Sequence, residues 1–286
     1  MKHFLIITNA FKDKNLKLTG ELKKYIEDKG GTCTCFTNRG DNAQYAAPEL
    51  SDIPKETECA LVLGGDGSLI RAASKLRTSR IALIGVNLGT LGYLCELEES
   101  NVFSAIDELM ADHYVAENRM MLCGHAIKNG ETTESRVALN DVVIHRAGAL
   151  SIVCLIVSVN GEYLNTFRAD GVIISTPTGS TGYNMSAGGP IVDPKAQMIL
   201  LTPINPHNLN SRSIVIGADD EVTIEIGKRR SQKDETVEVS FDGDNAVRME
   251  VGDKLIVRKA ASAAKICKIS SMSFLDILRK KMQAYT

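Results

Sequence analysis

The stretch Cys59-Ala60-Leu61-Val62-Leu63-Gly64-Gly65-Asp66-Gly67-Ser68 decides how the first half of this chain is read. An apolar run stops abruptly at three glycines that enclose one acid, and Leu69-Ile70-Arg71-Ala72-Ala73 resumes with good helix formers. That order predicts a buried strand, a tight turn and a helix to about Leu76. Glycine lets the backbone come very close to a ligand. The N–H groups of such a turn, with a helix N-terminus behind them, attract phosphate. A bare carboxylate repels phosphate, so Asp66 needs its own reason: binding a cation, or removing a proton from a group being phosphorylated. A turn with a helix-capping aspartate accounts for the same residues equally well.

Outward from this unit, strands alternate with helices. Phe4–Thr8 is a short apolar run, and Leu16–Lys29 places Leu18, Leu22, Tyr25 and Ile26 at helical spacing before Gly30-Gly31 stops it. Thr32–Thr37 is β-prone, and Asp41–Thr57, with Pro48 and Pro54, is polar connecting chain. Ile81–Val86 is another apolar run, Asn87–Leu94 a second glycine-rich loop, and Val102–Met110 a helix. The alternation predicts an α/β domain over residues 1–118, doubly wound on a mostly parallel sheet, with ligand loops at the carboxyl ends of the strands.

After Tyr114 the character changes. Met121–Ile127, Val137–Ile144, Ile152–Val159, Gly171–Ser175, Ser213–Ile216, Val222–Ile226, Val237–Phe241 and Lys254–Arg258 are short and β-branched. Turn pairs such as Asn129-Gly130, Asn160-Gly161 and Asp242-Gly243 separate many of them. Closely spaced strands predict an all-β domain over residues 119–272. Phe274–Lys281 is helical with an apolar stripe, and residues 273–286 are expected to pack back on the first domain.

A net charge of −2 gives no general attraction to nucleic acid or an anionic membrane. Lys228-Arg229-Arg230 reads as a solvated hairpin tip. Cys33-Thr34-Cys35 is the only close cysteine pair, no His/Cys cluster matches it, and the seven cysteines read as reduced thiols. The first apolar run is too short for a signal peptide, and no stretch approaches the ~20 apolar residues of a membrane span. A cytoplasmic location is expected. His125, His145 and His207 read as structural, since no spacing suggests a metal site.

The second chemical stretch runs from Arg168 through Asp170-Gly171-Val172-Ile173-Ile174-Ser175-Thr176-Pro177-Thr178-Gly179-Ser180-Thr181-Gly182-Tyr183-Asn184-Met185-Ser186 to Pro194. A buried strand empties into a loop dense in hydroxyls and glycines. Those groups suit ribose, amide and phosphate, Tyr183 can cover a flat ring, and Asp170 can receive a hydrogen bond. An ordered turn whose Ser and Thr bond their own backbone is the alternative. Arg168 either faces phosphate or holds the loop by a salt bridge.

These motifs together, GGDGS at 64–68, Leu139-Asn140-Asp141-Val142-Val143-Ile144, the loop from Asp170 to Pro194, and Leu201–Arg212, resemble the NAD kinase family in identity and order. The resemblance spans residues ~61 to ~243 and is most specific in the Asp170–Pro194 loop. It implies phosphoryl transfer from ATP, with Mg²⁺ or another divalent cation, to the adenosine-ribose 2′-hydroxyl of NAD. It further implies NAD bound in a crevice between the two domains, and a homodimer or homotetramer. By the same resemblance Asp66 looks like the general base, with Gly64, Gly65, Gly67 and Ser68 as the phosphate loop. Asn140 and Asp141 look like ribose ligands, Tyr93, Thr178, Thr181, Gly182, Tyr183 and Ser186 like the adenine and phosphate surround, Asp170 like the nicotinamide-side carboxylate, and Arg168 like part of the same NAD set.

Three residues depart from the family pattern. Asp141 stands where Glu is commoner, Gly182 where Ala is, and Asp244 follows Asp242-Gly243 where Gln is usual. Two other readings share parts of these motifs. A lipid or sugar kinase can carry the glycine turn, but the Asp170–Pro194 loop offers polar contacts instead of an apolar tunnel. A silent NAD(H) sensor would keep the loop and lose the acid, and Asp66 is present.

Overall fold

The computed structural model describes residues 1–38, 48–89, 92–148, 152–208, 210–228, 236–270 and 272–283. Of the sequence expectations, residues 41–47 of the connecting segment, Thr90 and Leu91 of the second glycine loop, Leu209, and Arg229-Arg230 of the basic run lie outside the described residues. The chain divides into two compact units, Met1–Asn118 with Ala264–Thr286, and Arg119–Ala263.

The first unit holds β1 (His3–Asn9), α1 (Lys17–Asp28), β2 (Thr32–Asn38), β3 (Cys59–Gly64), α2 (Asp66–Leu76), β4 (Ala82–Asn87), β5 (Leu97–Glu98), α3 (Val102–Met110) and β6 (Val115–Arg119). The order across its sheet is β2-β1-β3-β4, and these four strands are parallel. Strand alternation divides their side chains between two faces. Phe4, Ile6, Leu61, Leu63, Ile84 and Val86 form one core with Leu22 and Ile26 of α1 and Ile106 and Leu109 of α3. On the other face Leu69 of α2 packs so close to Gly85 that a Cβ there would sit 3.1 Å from it. Helices on both faces make the sheet doubly wound, as the near-continuous apolar strands predict.

The second unit holds β7 (Leu122–Lys128), β8 (Glu131–Thr132), β9 (Arg136–Ala138), β10 (Asp141–Arg146), β11 (Val153–Val159), β12 (Glu162–Ala169), β13 (Gly171–Ser175), α4 (Tyr183–Ser186), β14 (Met198–Ile204), β15 (Ile214–Gly217), β16 (Val222–Ile226), β17 (Thr236–Phe241), β18 (Asp244–Glu250) and β19 (Lys254–Lys259). One antiparallel sheet runs β15-β14-β13-β10-β17-β18, and the other β12-β11-β16-β19-β7-β8. Val142, Ile144, Val172 and Ile174 from the first meet Leu155, Val157, Ile224 and Val257 from the second in one core. Each such side chain contributes ~1.5–3 kcal/mol on full burial, so the two sheets are held face to face.

Several details differ from the sequence reading. Val137–Ile144 is two strands, broken where Leu139 and Asn140 turn their N–H groups to Asp242. β12, β14 and β18 lie between the expected runs. They alternate polar with apolar residues or carry Pro203, which masks a strand signal. The expected second-domain limit at residue 272 moves back to Ala263. The cause is β20 (Ala264–Lys268), which pairs parallel to β4 in the first sheet. After it, α5 (Phe274–Gln283) belongs to the first unit, with the Lys281 ammonium 5.5 Å from the Tyr93 ring centroid.

Candidate active site

Asp66 is the first residue of α2, one residue beyond the end of β3. Its carboxylate does not cap its own helix. Oδ2 accepts the Tyr93 N–H at 2.7 Å, and Oδ1 accepts those of Leu94 at 3.2 Å and Cys95 at 3.0 Å. The helix-capping account of Asp66 therefore gives way to a latch between the two glycine-rich loops. Gly92 is required by this closeness: a Cβ there would overlap the Asp66 carboxylate. Cys95 beside it is buried, and burial followed by the Asp66 charge raises its thiol far above the ordinary value.

The second unit carries a cleft of about 710 Å³, within the ~300–1,000 Å³ range of ligand clefts. Asn140, Asp141, Asp170, Tyr183, His145 and Asp242 all line it. They arrive from the start of β10 and its middle, the link between β12 and β13, the start of α4 and the β17–β18 hairpin; β13, β10 and β17 are neighbours in one sheet. Thus Asn140, Asp141, Asp170 and Tyr183 come together as predicted residues of one surface, while Asp66 and Tyr93 belong to the first unit.

Two features mark the cleft as built for a polar ligand. The buried Oδ1 of Asn140 and Oγ1 of Thr178 lack a hydrogen-bond partner among the described residues, a state that buried polar atoms rarely keep. Gly179 allows the hydroxyl-rich loop, which carries Thr178, to lie against Asn140, since a Cβ there would collide with the Asn140 carbonyl. Tyr183 is 47% exposed, which leaves its ring face open. Asp170 is held from two sides, by Arg146 at 3.1 Å and by the Asn205 amide at 3.0 Å.

The remaining expected residues are placed less directly. Thr181 and Gly182 are half-buried beside the cleft, and a Cβ on Gly182 would sit 3.5 Å from the Asn140 amide nitrogen. Ser186 is exposed at the end of α4, and Arg168 is exposed on β12, its carbonyl accepting the His207 N–H at 2.9 Å. Gly64 ends β3, Gly65 alone links it to α2, and Gly67 and Ser68 lie in the first turn of that helix.

Sequence reasoning missed Asp242, His145 and Arg146. Asp242 accepts three backbone N–H groups, from Leu139 and Asn140 at 2.7 Å and from Asp141 at 3.1 Å. It fixes the segment that delivers Asn140 and Asp141. The only signal in the sequence was its Asp-Gly turn, where Asp242 takes φ 53° and Gly243 φ 79°. His145 was read as structural, yet it lines the cleft with Nδ1 2.8 Å from the Arg146 carbonyl.

Asp141 is a buried carboxylate and Asp242 a half-buried one. Burial, and then the Asp242 charge, pushes Asp141 up to about 7. Burial pushes Asp242 up to about 6 against the pull of its three N–H donors. Because both folded values exceed the ordinary 3.8, the folded chain binds protons more tightly than the unfolded one. The stability these groups contribute is complete below about pH 4 and is lost as pH rises through about 6 to 7. Asp141→Asn, neutral throughout, should therefore gain Tm relative to the parent between about pH 5 and about pH 8. A Tm difference that stays flat over that interval would mean Asp141 titrates like an exposed carboxylate.

Comparisons with known proteins were consistent along the whole chain. Residues 4–114 match the family model for the ATP-NAD kinase N-terminal domain, and residues 139–269 that for the C-terminal domain. The chain is 58% identical to the NAD kinase of Agathobacter rectalis, with 100% of both chains covered. It is 42% identical to the NAD kinase of Lachnospira eligens, covering 99% of this chain and 100% of that one. The yeast NADH kinase solved with NADH shares the fold at TM-score 0.86 and 24% identity, over 99% of this chain and 88% of that one. The Archaeoglobus fulgidus NAD kinase solved with ATP does so at TM-score 0.78 and 20% identity, over 98% of each.

Proposed function

This chain belongs to the ATP-NAD kinase family, and on that premise we propose that it transfers the γ-phosphoryl group of ATP to the adenosine-ribose 2′-hydroxyl of NAD. The products are ADP and NADP. The observation that carries the acceptor site is the pairing of the unpartnered Asn140 Oδ1 with the Asp141 carboxylate in one cleft. Those two acceptors suit the ribose by taking its 3′-O–H, which leaves the 2′-O–H for Asp66; a carboxylate on a ribose hydroxyl is a device familiar in dinucleotide sites. The Tyr183 ring covers the adjoining base, and Asp170, held by Arg146 and Asn205, keeps lone pairs for an amide N–H.

In the transfer step the 2′-oxygen forms a bond to the γ-phosphorus as the bond from phosphorus to the ADP oxygen breaks. The hydroxyl proton goes to Asp66, whose Oδ2 accepts a single N–H and retains a lone pair. The glycine turn supplies backbone N–H groups to the donor phosphates. Among the described residues no group of three His, Cys, Asp or Glu side chains could hold a metal ion. The divalent cation of the reaction, Mg²⁺ or another, enters with the substrate, carried on the phosphates of ATP.

The reading also carries over from the resemblance a homodimeric or homotetrameric cytoplasmic enzyme. Among the described residues no helix is long and apolar enough to cross a membrane.

Purified chain given Mg²⁺, ATP and NAD should produce NADP, read by an NADP-specific dehydrogenase; folded protein that produces none overturns the assignment. Parallel arms with NADH and with polyphosphate settle acceptor and donor. Asp141→Ala should raise the NAD KM by ~10–150-fold, the loss expected for a charge-assisted hydrogen bond, with the ATP KM little changed. Asp141→Glu should keep substantial activity. An unchanged NAD KM in the Ala variant removes Asp141 from the site.

A further inference from the structure

The order β2-β1-β3-β4 places a switch point between β1 and β3, because the chain leaves β1 toward β2 and leaves β3 toward β4. In open parallel sheets the crevice outside the carboxyl ends of such a strand pair is where ligands bind. Here the two chain segments bounding that crevice are the turn after β1 and the Gly64–Gly67 turn after β3.

The turn after β1 is tightly built. Asn9 accepts the N–H groups of Lys12 and Asp13 on its carbonyl, both at 3.0 Å, and that of Phe11 on its side chain at 2.9 Å. Asp13 is buried and fully used: it accepts the Leu18 N–H at 3.1 Å, the Thr19 N–H at 2.9 Å and the Thr19 hydroxyl at 2.6 Å. The residue between, Lys12, projects across the crevice. Its ammonium lies 3.2 Å from where a Cβ on Gly65 would stand. Arg71 of α2 brings a guanidinium nitrogen to 3.8 Å from the same position on Gly67. One buried polar atom at this edge, the Thr8 hydroxyl, has no partner among the described residues.

Lys12 also opens onto a cleft of about 700 Å³ in this unit, shared with Lys14, Lys17, Asn87, Gly89, Glu98 and Glu99. The rest of that cleft carries charges of both signs. An anion's place is the Lys12–Gly65 side, where backbone N–H groups and an ammonium converge.

From this geometry we propose that Lys12 binds the triphosphate of the phosphoryl donor against the glycine turn. No sequence motif drew attention to it, because the lysine stands more than fifty residues before the turn it serves. The assignment rests on the kinase reading above for the name of the donor, though not for the site.

The test compares the parent with Lys12→Ala, Lys12→Arg and Lys23→Ala, the last removing an equal charge from α1 away from the crevice. Lys12→Ala should raise the ATP KM by ~10–100-fold, as for loss of a charge-assisted hydrogen bond, with the NAD KM within about two-fold. Lys12→Arg should recover most of the affinity, and Lys23→Ala should match the parent. Binding of inorganic tripolyphosphate by calorimetry supplies a second readout independent of turnover. If the parent fails to phosphorylate NAD yet binds tripolyphosphate and Lys12→Ala does not, the kinase reading falls and the anion site stands. An unaltered ATP KM in Lys12→Ala, equal losses in Lys12→Ala and Lys23→Ala, or tripolyphosphate bound equally with and without Lys12 each overturns the proposal.

Discussion

Asp66→Asn should lower kcat for NAD phosphorylation by ~10²-fold or more, within the range for loss of a general base, while the NAD KM changes only a few-fold. The carboxylate has two separable duties. As a latch it accepts three backbone N–H groups from Tyr93, Leu94 and Cys95. As a base it takes the 2′-hydroxyl proton on its spare lone pair. Asn preserves size and one acceptor oxygen but turns an NH₂ toward an N–H donor, and it cannot take the proton. Gly92→Ala separates the duties from the other side, since its methyl displaces the carboxylate without changing its chemistry. Loose phosphoryl-transfer transition states need little base assistance, so alignment of the hydroxyl is the competing role. Addition of Mg²⁺ over a wide series should leave the Asn variant's kcat low, because a lost base is not restored by metal, whereas a lost metal ligand is restored in part. Turnover near the parent's in Asp66→Asn would falsify both roles and reopen the sensor and lipid-kinase readings.

The fold was legible where burial is one-sided or complete. β3 and β4 are apolar at nearly every position because helices cover both faces of their sheet, and α3 coincides with the run Val102–Met110. It was illegible where a strand's outward face is polar. β12 reads Glu-Tyr-Leu-Asn-Thr-Phe-Arg-Ala, yet it pairs along its length with β11. β20 escaped because local pattern says nothing about which sheet a strand joins, and a parallel partner can lie far away in sequence. The same limit governs the site. Asp170 and Tyr183 stood out by their unusual local company, and Asn140 and Asp141 only through the family resemblance. Asp242 and Lys12 act on backbone made by other parts of the chain, so their roles depend on contacts that only the folded sheets create.

Asp242→Ala should be the most damaging change in the second unit away from the ligand's own contacts. It strips partners from three N–H groups in the Leu139–Asp141 segment at once. Unsatisfied buried donors cost about 1–3 kcal/mol each. Water entering the open cleft offsets part of that, leaving a net loss of roughly 3 kcal/mol. At about 2–4 °C per kcal/mol the Tm should fall by about 6–12 °C. A packing defect alone would stop there. Because the freed segment carries Asn140 and Asp141, the NAD KM measured well below the Tm should also rise at least ~10-fold, with the ATP KM little altered. Asp242→Asn provides the finer cut. Its single carbonyl can stand in for Oδ1 and keep the Asn140 and Asp141 bonds, so the Tm should largely recover. Removing the Asp242 charge, however, takes away a cause of the raised Asp141 value, so Asp141 should ionise at lower pH. The acid limb of the NAD kcat/KM profile should then move to lower pH in Asp242→Asn. An NAD KM unchanged in Asp242→Ala, or an acid limb unmoved in Asp242→Asn, would reduce Asp242 to an ordinary hairpin residue.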